Sequence, residues 1–289
     1  MDPKHFVMSR YYGYRSGTPE GDSESRQILE TLFSSFSNHL VAVVLKITSL
    51  NGERPTGRNV SPGFLLVCRG RWFYLTAGHI FKRIEEAVTN GTIRVERAFF
   101  VDYFGPKAKS RTILRFGFDD LPRYHVDDEE LGLDVGVIEL SPYYVRLFEA
   151  NGIVPVTEKN WGADDLSRYQ GFFVLGFPEE LHGESFTYGS NPIMEPTLIP
   201  LQRIPEPPSE ITKGRKTLFC ANFPEKLPVG LEGASGGPIF GVTRGPGPEF
   251  EYQIVAMQFA QVEAQRVAIG CAMPVIGYLM TKWVEQVGA

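Results

Sequence analysis

The chain has 289 residues, 43% of them hydrophobic, and a formal net charge of −5, which is enough apolar material for a large core in one domain or two coupled ones and excludes a disordered chain. Lysines and arginines are scattered rather than gathered into runs, which argues against nucleic acid as a partner. No run approaches the roughly 18 apolar residues that a membrane-spanning helix needs, and Met1-Asp2-Pro3-Lys4-His5 leads into a polar segment without an apolar signal region, so the expected setting is cytoplasmic rather than secreted or membrane-spanning.

A mobile N-terminal arm is expected first, then a helix over 22–37, where Ile28, Leu29, Leu32, Phe33 and Phe36 form an apolar stripe at helical period and Asp22 or Ser23 serves as the cap. Six strand-like runs follow, near 40–48, 61–68, 71–76, 92–103, 111–118 and 133–140, and a six-stranded barrel uses them all. The third run ends on Thr76-Ala77-Gly78-His79, which sets an imidazole at a strand end. Ile80, Phe81, Ile84 and Val88 then recur at helical spacing, so His79 opens a short helix. His5, His39, His125 and His182 have no comparable setting and read as structural or surface residues. The acids Asp127-Asp128-Glu129-Glu130 lack the spaced ligands and turn glycine of a calcium loop and read as a solvated connection. Just beyond them, Leu133-Asp134-Val135-Gly136-Val137 inserts a carboxylate before an alternating strand. Buried there, it has to be paired; a plain turn aspartate has the same local signature.

A helix over 142–150, stopped by Asn151-Gly152, links to a second set of runs near 171–176, 184–201, 216–221, 238–242, 251–259 and 266–273. The segment Pro205-Glu206-Pro207-Pro208-Ser209-Glu210 and the run 244–248 read as loops, the first either bordering a substrate cleft or merely joining strands. In Gly233-Ala234-Ser235-Gly236-Gly237-Pro238 a serine stands between glycines. Gly233, lacking a Cβ, frees the backbone to point its own N–H and that of Ser235 at one place, and the later glycines clear space around the hydroxyl. The same residues also suit a simple tight turn into a strand. Val275, Ile276, Leu279, Met280, Trp283 and Val284 close the chain as an amphipathic helix expected to cover the second barrel. Cys68, Cys220 and Cys271 are odd in number and each lies in an apolar run, which predicts buried free thiols and a reducing compartment. No glycine-rich phosphate loop or paired cysteine cluster is present, so no cofactor and no metal is assigned. The expected division is an arm and helix over 1–38, a first unit over 39–142, and a linker, second unit and helix over 143–289.

The motifs Thr76-Ala77-Gly78-His79, Leu133-Asp134-Val135-Gly136-Val137 and Gly233-Ala234-Ser235-Gly236-Gly237-Pro238, in that order, resemble the three signatures of chymotrypsin/trypsin-like serine proteases, in particular non-zymogen bacterial members. The resemblance implies an all-β fold of two six-stranded antiparallel Greek-key barrels with N-terminal and C-terminal helices. It implies a serine endopeptidase acting on protein or peptide substrates through an acyl-enzyme, with Ser235 as nucleophile, His79 as general base, Asp134 orienting the imidazole, and Gly233 and Ser235 N–H groups as the oxyanion hole. Val229, Leu231, Met257, Gln258 and Phe259 are expected to contact substrate, and the strand edge over 258–261 to pair with its backbone. No carboxylate stands at Val229, which points to an uncharged residue at the cleavage site, and Glu232 is expected to face solvent. The aspartate that precedes the serine in zymogens of the family is Ala234 here, so no amino-terminal activation switch is expected. Two other readings use the same residues: a catalytically silent barrel that binds peptides or a partner protein, and an esterase or acyltransferase.

Overall fold

The apolar run from Leu40 to Leu45 is buried on both faces, and its alternation sorts the core into two bodies. Val41, Val43 and Leu45 of strand β1 (Leu40–Ser49) point into one cluster, while Leu40, Ala42 and Val44 point into another. The structure is a computed structural model that describes residues 23–52, 57–128, 130–161, 165–178, 195–212, 218–224, 231–245 and 250–287. Around β1 an antiparallel sheet is built from β2 (Gly57–Cys68), β3 (Arg71–Thr76), β4 (Ile93–Val101), β5 (Leu114–Phe116), β6 (Arg123–Asp128) and β7 (Leu133–Glu139), in the order β5-β4-β1-β2-β3-β7-β6. Helix α2 (Gly78–Thr89) leaves β3 and packs on β6 and β7, sending Phe81, Ile84 and Ala87 into the same core as Tyr74 and Phe100.

This first unit has seven strands instead of the six that periodicity predicts. The additional one is β6, Arg-Tyr-His-Val-Asp-Asp, whose alternation is confined to Tyr124 and Val126, neither of them buried. It is held by its ladder to β7, from Arg123 opposite Ile138 to Asp128 opposite Leu133, and by ion pairs to α2: Lys82 with Asp127 at 2.8 Å and Arg123 with Glu85 at 3.2 Å. Asp127 and Asp128 therefore close a strand instead of lying wholly in a connection.

Beyond α3 (Pro142–Asn151), which contributes Phe148 to the first core, the second unit closes into a barrel. Its strands are β8 (Gly171–Gly176), β9 (Thr197–Arg203), β10 (Leu218–Asn222), β11 (Pro238–Arg244), β12 (Phe250–Val262) and β13 (Val267–Ala272), in the closed order β10-β13-β12-β11-β8-β9. A short helix, α4 (Ser209–Thr212), precedes β10. Most of the run expected over 184–201 lies outside the described residues. Because β10 and β11 are not neighbours, the connection between them must cross the barrel end, as the connection between β3 and β4 must in the first unit. The His79 turn and the Ser235 turn sit on these two crossovers.

The units are joined by the apolar body into which Leu40, Ala42 and Val44 point. Helix α1 (Ser23–Phe36) supplies Leu29, Leu32 and Phe36 to it, β11 and β12 supply Phe240 and Met257, and helix α5 (Met273–Val287) supplies Ile276, Met280 and Val284. Phe36 stacks on Phe240 with ring centroids 3.9 Å apart, so α1 packs on the second barrel before the chain enters the first sheet. The expectation that α5 covers the second barrel holds only in part, because the helix also lies on β2 and sets Trp283 edge-on to Phe73 at 5.2 Å. His39 ties the units further. It is buried between the Val154 carbonyl, 2.8 Å from Nδ1, and the Tyr252 hydroxyl, 3.0 Å from Nε2, and burial lowers its pKa to about 4. Cys68, Cys220 and Cys271 are buried free thiols, as expected. Among the described residues no helix is long and apolar enough to cross a membrane.

Candidate active site

His79 is the second residue of α2, and the approach of that helix to the sheet explains the small residues before it. A Cβ on Gly78 would lie 2.3 Å from the Val126 carbonyl and 2.8 Å from that of Val135, so the helix start is seated directly on β6 and β7. This brings His79 to Asp134, the second residue of β7. Asp134 Oδ1 accepts the His79 main-chain N–H at 2.8 Å and Oδ2 lies 2.6 Å from Nδ1. One carboxylate thus satisfies an orphan donor at a helix N-terminus and fixes the imidazole ring. An acceptor-only carboxylate places the ring hydrogen on Nδ1, leaving Nε2 as the acceptor. Asp134 is 5% exposed, and Cys271 of β13 lies close behind it. Burial pushes that thiol up to about 12, with the Asp134 charge adding to the effect, so it stands beside the carboxylate as a neutral group.

The serine turn is held by three of its amides. Ala234 N–H donates to Leu231 O at 2.9 Å, Gly236 N–H to Gln258 O at 2.7 Å and Gly237 N–H to Ala234 O at 2.8 Å. Among the described residues the Gly233 and Ser235 N–H groups have no backbone acceptor. Gly233 has φ +81 and Gly236 φ +96, angles that favour glycine. A Cβ at Gly236 would also meet Thr76 Oγ1 at 2.1 Å and Pro62 O at 2.3 Å, so the turn presses against β2 and β3 of the first unit. Ala234 is fully buried and packs on Gly176.

His79, Asp134 and Ser235 line one cleft of about 830 Å³. The Ser235 hydroxyl donates to the Phe259 carbonyl at 3.3 Å, and the His79–Asp134 hydrogen bond is not extended to it. Of the residues expected to contact substrate, Leu231, Gln258 and Phe259 line the cleft. Met257 does not: its side chain points from the opposite face of β12 into the apolar body between the units. Val229 lies outside the described residues. Glu232 is exposed at the cleft, as expected.

Sequence reasoning did not find much of the lining. Lys82, Arg83 and Glu86 come from the exposed side of α2, Asp127 and Asp128 from the unexpected strand β6, and Ile211 from α4. Glu210, the last residue of the proline-rich segment, also lines the cleft, in line with the reading that this segment borders it. The helical period after His79 carries a signal for the α2 residues, since positions 82, 83 and 86 lie off its apolar stripe. Gln261 was missed as a positioning residue: its Oε1 accepts Leu231 N–H at 2.7 Å and so ties β12 to the start of the serine turn. Among the described residues there is no cluster of three metal-ligating side chains.

The chain matches no protein-family model and no curated protein sequence. Similar solved structures include an inactive form of Rv3671c from M. tuberculosis H37Rv, at 12% identity over 91% of this chain and 95% of that one, with a TM-score of 0.43. A serine endoprotease from Yersinia pestis is similar at 13% identity over 92% of this chain and 68% of that one, with a TM-score of 0.45. A catalytically inactive tobacco etch virus protease in complex with substrate is similar at 12% identity over 86% of each chain, with a TM-score of 0.43.

Proposed function

We propose that the chain is a serine endopeptidase that cleaves peptide bonds through an acyl-enzyme formed on Ser235. The reading rests on one observation: a buried carboxylate held to an imidazole at 2.6 Å lines the same cleft as a serine whose turn leaves two neighbouring amides without backbone acceptors. In this scheme Ser235 Oγ bonds to the scissile carbonyl carbon as its proton passes to His79 Nε2. The oxyanion is received by the Gly233 and Ser235 N–H groups, and the proton returns to the departing amine as the C–N bond breaks. Water repeats the sequence to release the acid. Asp134 stabilises the imidazolium that forms in each half. The hydroxyl must first exchange its acceptor, from the Phe259 carbonyl to His79 Nε2, by rotation about χ1.

The present orientation of that hydroxyl also favours a second reading, a silent barrel that holds peptides without cleaving them. Digestion of a peptide library separates the two. Wild type is expected to release defined fragments, and Ser235→Ala to lose turnover by on the order of 10⁶-fold while keeping its melting temperature. Fragments appearing equally with Ser235→Ala would overturn the proposal, and tight peptide binding without cleavage by wild type would establish the silent barrel.

A further inference from the structure

Gln258 is the residue whose main chain is most directly joined to the serine turn. Its carbonyl accepts Gly236 N–H at 2.7 Å and its N–H donates to Gly237 O at 2.9 Å. Its side chain lines the cleft, yet the residue is only 1% exposed. The carboxamide nitrogen is used locally, donating to Ala260 O at 3.1 Å across the bulge that interrupts the β12–β13 register. The carboxamide oxygen has no hydrogen-bond partner among the described residues. A buried polar atom without a partner is costly to keep, and its cost is recovered when a ligand supplies the missing donor.

The surroundings narrow what that donor is. Ile211, Ala260, Val262 and Ile269 are among the apolar residues lining the cleft, and the acids Glu210 and Glu232 in the same lining are exposed. A carboxylate on the substrate would set acceptor against acceptor. An apolar side chain would leave Oε1 unpaired. A lysine or arginine would shed its water against a neutral amide, and the buried carboxylate of the lining, Asp134, already has both oxygens engaged by His79. A neutral side chain that donates a hydrogen bond meets none of these objections.

We propose that Gln258 Oε1 reads the side chain of the residue that supplies the scissile carbonyl, and that this residue is asparagine or glutamine. The inference rests on the peptidase reading above and adds to it a substrate class. A site built to hydrogen-bond its substrate discriminates strongly against analogues that lack the donor.

The test uses the full chain and peptide pairs that differ only at the cleavage site, glutamine against methionine and asparagine against leucine. Wild type is expected to favour the carboxamide in each pair by at least about tenfold in kcat/KM. Gln258→Met, which removes the acceptor at similar volume, should bring the ratio to about one or below it. Gln258→Glu, which keeps an acceptor and adds charge, should shift preference towards lysine and arginine, a gain that misfolding cannot imitate. Equal or better cleavage after methionine and leucine by wild type overturns the proposal, as does an unchanged preference in Gln258→Glu. Fluorophosphonate capture of Ser235 makes no demand on Gln258 and separates the two levels. A captured enzyme without carboxamide preference overturns this inference alone, whereas a chain that is neither captured nor cleaves any peptide overturns the peptidase reading with it.

Discussion

Replacing Asp134 by asparagine changes one atom at a position where both side-chain oxygens are in use. Oδ1 accepts the His79 main-chain N–H at 2.8 Å and Oδ2 meets Nδ1 at 2.6 Å. Asparagine keeps both contacts only if its NH₂ faces Nδ1, which then has to accept, and the ring hydrogen moves to Nε2, where it blocks proton uptake from Ser235. Turning the amide over restores the tautomer but opposes two donors at the His79 N–H, leaving a buried donor unsatisfied at a cost of roughly 1–3 kcal/mol. Loss of the charge-assisted bond to the imidazolium costs roughly another 1.5–3 kcal/mol. The sum, about 2.5–6 kcal/mol, corresponds to a rate loss of roughly 10²- to 10⁴-fold. Volume and one hydrogen bond are retained, so the folding free energy should change by no more than about 2 kcal/mol. The assay is kcat/KM on a cleaved peptide beside a denaturant melt. A folded Asp134→Asn enzyme within tenfold of wild type would refute the claim that this carboxylate sets the tautomer.

Two further perturbations test the scaffold. Asp102, 1% exposed, has its pKa raised by burial from 3.8 to about 6, against the lowering effect of the Asn151 side chain. A raised folded-state value means that its favourable contribution is complete below about pH 4 and is lost as pH climbs through 6, by at most about 3 kcal/mol. Asp102→Asn should therefore melt above wild type at pH 8, with the gap closing towards pH 5; a gap independent of pH contradicts this. Taking the difference between variant and wild type removes His39, whose lowered value acts with the opposite sign as pH falls from 6.5 towards 4. At the serine turn, Gly236→Ala combines a positive φ with a Cβ 2.3 Å from a backbone carbonyl and should cost roughly 2–5 kcal/mol by urea denaturation. Gly57→Ala, with nothing within 4 Å, should be close to neutral, and equal stability of the two variants would show that the turn is not pressed against the first unit.

Much of this architecture can be read from residue pattern because the patterns report burial directly. The stripe Ile28 to Phe36 becomes α1 on an apolar surface, and the run from Leu40 becomes a strand buried on both faces. His79 and Asp134 are legible because each interrupts an apolar context that tolerates a polar side chain only with a partner. Strand β6 is illegible for the converse reason: its pairing depends on β7 and on the charges of α2, partners distant in sequence. The orientation of Met257 and Gln258 escapes reading because strand alternation has to be combined with the third dimension, and the register break between Gln258 and Ala260 adds a residue that no local signal marks. Helix α5 has apolar residues on more than one side, which suits burial between two bodies as well as against one. The Ser235 rotamer is set by Phe259 O, 24 residues away, and leaves no trace in the motif around the serine.

The central claim is that Ser235, His79 and Asp134 act as one nucleophilic unit. It is met most directly by treating the full chain with a fluorophosphonate and mapping the adduct by peptide mass spectrometry. A single adduct on Ser235 in wild type, lost in a folded His79→Ala variant, is the predicted result. Absence of an adduct in wild type, or capture of His79→Ala at the wild-type rate, would contradict it.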